Sequence, residues 1–171
     1  MKKLSLWPVI AVIIPLLALA GLVVEKERRM TQGEEVVLPI VGFDPRDLLS
    51  GHYLIYQIQY NVKNLCKKIS KQSENKIGYV VINPPEFQTW EPTIGQVFIK
   101  GECKNGNFKA GIERFYIPQE HAKILDEVIR GKQGKIVLSV FYDGRAQVKD
   151  LLINDKSWSI FLEEQKNEML E

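Results

Sequence analysis

Residues 97–114 read Val97-Phe98-Ile99-Lys100-Gly101-Glu102-Cys103-Lys104-Asn105-Gly106-Asn107-Phe108-Lys109-Ala110-Gly111-Ile112-Glu113-Arg114. Asn-Gly accommodates the positive φ angles of a type I′ turn, so Asn105-Gly106 predicts a tight hairpin. Pairing outward sets Cys103 opposite Phe108, Gly101 opposite Ala110, Ile99 opposite Ile112 and Val97 opposite Arg114. Val97, Ile99, Cys103, Phe108, Ala110 and Ile112 then share one face. Lys100, Glu102, Lys104, Lys109 and Glu113 share the other, with Glu102 across from Lys109. One choice of turn thus sorts apolar from charged side chains on both strands, and a slip of one residue would undo the sorting.

The same logic extends toward the C-terminus. Asp143-Gly144 predicts a second hairpin. Its first strand, Ile136 to Tyr142, is apolar on both faces, the pattern of a central strand covered on two sides. Its second strand alternates, with Ala146, Val148 and Leu152 inward and Arg145, Gln147 and Lys149 outward. Asn154-Asp155 offers another turn into a short strand, Ser157–Leu162, and the polar residues 163–171 form a tail that frays. Between the hairpins lies a helix: Pro118 suits its first turn, Ala122, Leu125, Val128 and Ile129 fall at helical spacing, and Gly131 ends it. Leu38–Val41, Tyr53–Val62 and Ile77–Asn83 supply further strands. The expected fold is mainly β (α+β), an antiparallel barrel or sandwich of seven or eight strands with one covering helix over residues 34–162.

The N-terminus reads differently. After Met1-Lys2-Lys3, the stretch Leu4–Val24 carries no charge and matches a bilayer's hydrocarbon core at roughly 30 Å. Residues 1–24 are therefore expected to form a transmembrane anchor. A cleaved signal peptide is the alternative, with Ala18-Leu19-Ala20 as the cleavage signal. The charged residues 25–33 read as a juxtamembrane linker. A short N-terminal tail that inserts like a signal sequence stays inside, which places the β-rich domain in the periplasm of a bacterial envelope and the protein at the inner membrane. In that compartment Cys66 and Cys103 either form one disulfide or remain two thiols with Cys103 buried.

Composition excludes several functions. Of 171 residues, 45% are apolar and 26% charged, which rules out both a disordered chain and a polytopic membrane protein. The formal charge of +2 is matched by Lys2 and Lys3, so residues 25–171 are neutral and give no electrostatic reason to bind nucleic acid. Two cysteines and two histidines are too few for a zinc ribbon, and no cofactor is expected.

In Leu38–Tyr53, Asp44 suits an N-cap, Pro45 the first helical position and Gly51 the end of one short turn. Here the run DPRDLLSG (44–51), followed by HYLIYQIQY (52–60), resembles the membrane-anchored bacterial proteins of the GDYXXLXY family, named for a Gly-Asp-Tyr-x-x-Leu-x-Tyr motif. GIERFYIPQE (111–120), DGRA (143–146) and DLLI (150–153) resemble the same family, over about residues 34–155. Gly51 and Tyr53 match the motif. Its Asp is His52 here, its Leu is Tyr56 and its last Tyr is Ile58. The resemblance implies a fold, an anchored location and a multi-pass membrane protein as partner, with no assigned reaction.

Three functions follow as expectations. The first is a non-enzymatic, membrane-tethered extracytoplasmic module that assembles with a membrane protein through a polar patch of Arg46, Asp47, His52, Tyr53, Glu113 and Tyr116. The bland alternative for Arg46 and Glu113 is an ion pair joining the turn to the hairpin. The second is an envelope hydrolase built around Asp47, His52 and Glu113. The third is a sensor whose loop Pro84–Gly95, with Phe87 and Trp90, captures a small ligand. The same loop equally fits rings packed back onto the barrel.

Overall fold

The computed structural model describes residues 7–42, 53–63, 65–66, 76–104, 106–131 and 134–168. Helix α1 (Trp7–Gln32) leads into β1 (Glu34–Gly42), β2 (Tyr53–Ile58), β3 (Lys76–Val81), β4 (Glu86–Gln88), β5 (Phe98–Lys104), β6 (Asn107–Lys109) and β7 (Arg114–Tyr116). Helix α2 (Gln119–Arg130), β8 (Gly134–Val140), β9 (Ala146–Ile153), β10 (Lys156–Ser157) and helix α3 (Trp158–Glu168) follow. Among the described residues the ten strands form two antiparallel sheets, ordered β10-β9-β8-β1-β2-β7 and β4-β3-β5-β6. The fold is mainly β, with more strands and more helices than the seven or eight strands and one covering helix expected.

The Asn-Gly hairpin forms in its expected register over three pairs: Lys104 with Asn107, Cys103 with Phe108, and Glu102 with Lys109. The expected continuation through Gly101–Ala110 to Val97–Arg114 does not form. Gly111 turns the chain with φ of +80°. Both Glu113 carboxylate oxygens then accept backbone N–H groups, from Ala110 at 2.6 Å and Gly111 at 3.0 Å. Farther along β5, the Lys100 N–H donates to the Gly144 carbonyl at 2.7 Å instead. With these groups bonded elsewhere, the chain leaves the small sheet, and β7 pairs with β2 in the large one.

β8 lies between β9 and β1. Ile136, Leu138 and Val140 are buried on its inner face, and Val137 and Ser139 are buried on its outer face as well. Its pairing with β9 contains a bulge: Leu138 faces Val148, but Val137 faces Asp150, so Lys149 is the extra residue. The bulge reverses the alternation beyond it. Leu151 and Ile153 are fully buried while Leu152, expected inward, is half-buried. Lys149 instead reaches Glu35 with its ammonium group at 2.7 Å.

α2 buries Leu125 and Ile129 against the inner face, where Ile129 and Ile40 close around Gly134. The expected strand Ser157–Leu162 and frayed tail are replaced by α3, which runs through Glu168. Trp158, Phe161 and Leu162 fall at helical spacing and pack against the core. The Trp158 ring meets Phe115 edge-on at 6.2 Å. Trp158 follows β10 and Phe115 lies on β7, the opposite edges of the six-stranded sheet. Their contact shows how far that sheet curls, into a half-barrel.

The transmembrane expectation for Leu4–Val24 also needs correction. Residues 1–6 lie outside the described residues, and among the described residues no helix is long and apolar enough to cross a membrane. The uncharged part of α1, Trp7–Val24, rises ~27 Å before the same helix continues into Glu25, Lys26, Glu27 and Arg28. The linker expected at 25–33 is thus mostly helical.

The motif strand and its candidate binding face

β2 carries the motif resemblance and sits between β1 and β7. Its register pairs Tyr53 with Tyr116 and Ile55 with Arg114 on one side, and Gln57 with Val41 on the other. Residues that face each other across an antiparallel pair share a sheet face. Ile55, Gln57, Val41, Arg114 and Tyr116 therefore belong to the outer face, and Leu54, Tyr56 and Ile58 to the core. Tyr116 is exposed. Of the six residues expected to form a polar patch, the structure thus places Tyr53 and Tyr116 at one register position. Arg46, Asp47 and His52, with the helical turn expected at 44–50, lie outside the described residues.

Glu113 occupies a different place. It is half-buried at the turn between β6 and β7, where its two oxygens hold the N–H groups of Ala110 and Gly111. Its own carbonyl accepts the Tyr56 N–H at 3.2 Å. The Tyr56 hydroxyl donates to the Ile112 carbonyl at 2.6 Å inside the core. Tyr56 and Glu113 thus stitch β2 to the chain as it crosses between sheets. Tyr60 points into the same interior and packs edge-on against Phe108 at 5.4 Å. Its buried hydroxyl has no hydrogen-bond partner among the described residues. Burial raises both phenols above their ordinary pKa, and the Glu113 charge raises them further; for Tyr60 the Tyr56 phenol adds to this. Both tyrosines therefore stay neutral at physiological pH.

Tyr56 and Tyr60 form a buried structural pair that was not among the expected site residues. Their signal was present: two tyrosines four residues apart on the apolar face of one strand must bury two hydroxyls that need partners. The other histidine, His121, stands half-buried in the first turn of α2, with Glu120 at 3.5 Å and the Trp158 ring centroid 6.3 Å away. Among the described residues no three His, Cys, Asp or Glu side chains gather where they could hold a metal.

Cys66 and Cys103 are joined as a disulfide, with Cα atoms 5.6 Å apart. The bond links the segment after β2 to β5, hence one sheet to the other. Both cysteines are buried. The loop beyond β3 divides its aromatics. Phe87 enters the core, 3% exposed, with its ring edge-on to Phe108, whereas Trp90 is 64% exposed.

No curated protein and no solved structure matches the chain. The model of the family described as GDYXXLXY protein matches residues 15–151, most of the chain, from within α1 through β1 to β8 and into β9, and the chain belongs to that family.

Proposed function

We propose that this protein is a non-enzymatic module held at the bacterial inner membrane by its apolar N-terminal helix, with the β-rich domain on the periplasmic side, where it assembles with a membrane protein. The observation that carries the reading is α1 itself. Ile10, Val12, Ile13, Ile14, Leu16, Leu17, Leu19, Leu22, Val23 and Val24 are all exposed, and they cover every side of the helix. A helix that is apolar all round is stable only when something nonpolar covers it, and the lipid of a membrane is a surrounding of that kind. The charged turn Glu25–Arg28 then lies at the membrane surface. The Cys66–Cys103 bond supports the periplasmic side, because disulfides persist in oxidising compartments and are rare in a reducing cytosol.

A binding role is preferred to a hydrolase because Glu113, the one member of the expected Asp47–His52–Glu113 set that is described, spends both carboxylate oxygens on backbone N–H groups. A general acid or base needs an oxygen available to its substrate. Tethering also raises the domain's effective concentration for any partner in the same bilayer. Protease added to spheroplasts tests the placement: cleavage of the β-rich domain in intact spheroplasts is expected, and its protection until lysis would contradict it.

A further inference from the structure

The loop between β4 and β5 holds an unused feature. Ile94 is 102% exposed and Trp90 is 64% exposed. The turn that presents them is built rather than loose. The Gln96 N–H donates to the Thr93 carbonyl at 3.2 Å, and the Thr93 N–H donates to the Gln96 side-chain oxygen at 3.2 Å. Gly95 supplies φ of +95°, Pro92 is buried beneath the turn, and the Ile82 N–H closes the base on the Val97 carbonyl at 2.9 Å. Phe87 and Pro92 already fill the core side of this loop, which leaves Trp90 and Ile94 outside. An isoleucine at the tip of a pinned turn loses little freedom on docking, and tryptophan is among the residues that dominate binding energy.

Charge selects the partner. From Ile77 to Ile99 the only charged side chains are Glu86 and Glu91, and both are exposed. An anionic lipid surface repels such a loop, whereas a protein surface with Lys or Arg around an apolar pocket complements it. We propose that the Trp90–Ile94 turn is a docking wedge that enters an apolar pocket rimmed by basic side chains on a membrane-protein partner. The proposal rests on the membrane-held reading above and names the surface that reading lacks.

The test places the photoreactive residue benzoylphenylalanine at Ile94 in the full chain, in intact cells, with a matched chain carrying it at the exposed Tyr142. The expected result is one discrete protein adduct, about tenfold stronger from position 94 than from 142. Glu86→Lys with Glu91→Lys reduces it about tenfold, the ratio that ~1.4 kcal/mol of lost complementarity gives. Mapping places the attached peptide beside Lys or Arg in a membrane protein. Lipid adducts alone, a dimer of this chain, equal labelling at the two positions, no labelling, or an adduct indifferent to the charge reversal each overturn the wedge. A membrane-extraction assay on the same cells reads the anchoring separately, so a failed wedge and a failed tether give different results.

Discussion

Gly106 and Gly144 hold nearly the same backbone angle, with φ of +78° and +77°. A Cβ on Gly106 would meet nothing within 4 Å, whereas one on Gly144 would lie 2.3 Å from the Phe98 ring. The first glycine lies at the tip of the β5–β6 hairpin, where an added side chain would meet open space. The second sits at the junction of the two sheets, where its carbonyl accepts the Lys100 N–H and its α-carbon is covered by Phe98. An Asx-Gly pair thus specifies a turn in both places, and the surroundings decide how much of the fold depends on it. The Tyr56 bond to Ile112 and the Glu113 cap belong to the junction as well.

The largest test of this contrast is Gly144→Val. The left-handed angle costs an L-residue roughly 1–2 kcal/mol. Crowding against the Phe98 ring adds roughly 1–3 kcal/mol, so urea unfolding should show a total loss of about 2–5 kcal/mol. A loss under about 1 kcal/mol would mean that the junction is not packed as described. Tyr56→Phe comes next, at about 1–3 kcal/mol, because it strands the buried Ile112 carbonyl. Gly106→Val should cost only the backbone term, about 1–2 kcal/mol. Equal losses at the two glycines would erase the contrast.

Two smaller effects sharpen it within the junction. Tyr60→Phe removes a buried hydroxyl that has no partner among the described residues, so stability should stay within about 0.5 kcal/mol of the parent or rise slightly. A loss comparable to that of Tyr56→Phe would show that its hydroxyl is satisfied after all. Alkaline pH gives the last test. Both phenols have folded pKa values raised by burial and by Glu113. The folded state therefore holds their protons more tightly than the unfolded chain. The resulting stability is fully present below the ordinary phenol value of about 10 and declines as pH rises above it toward the folded values. Melting temperature followed upward through that range should fall, and it should fall less steeply in the Tyr60→Phe variant.

What the sequence disclosed follows the same line between local and distant causes. The Cys103–Phe108 register, the central position of β8 and the helix with Leu125 and Ile129 were legible because each rests on pattern within a short window. The departure of β7 for the other sheet was not, since it depends on Glu113 capping two N–H groups and on Gly144 taking the Lys100 N–H from across the molecule. The bulge at Lys149 is silent in the alternation of Ala146 and Val148 and shows itself only where Leu151 and Ile153 turn inward. Ser157–Leu162 alternates well enough to imitate a strand, and its packing against Phe115 at the far edge of the sheet is nonlocal. Of the candidate patch, the register of Tyr53 with Tyr116 follows from the pairing of β2 with β7, two segments far apart in the chain whose pairing no local pattern announces. Glu113 was read as a patch residue or as the ion-pair partner of Arg46, whereas its carboxylate bonds to N–H groups two and three residues away, in its own turn.

The proposed attachment to the membrane requires lipid contact of the apolar helix segment Trp7–Val24. Washing membranes from cells that carry the full chain with alkaline carbonate strips proteins held by surface contacts and leaves those embedded in the hydrocarbon. The protein is expected to remain in the membrane pellet, and Ile14→Lys with Leu17→Lys should move it to the supernatant, since each charge placed mid-helix costs about 2.5–3.5 kcal/mol in lipid. Release of the unaltered chain by the wash would contradict the central claim.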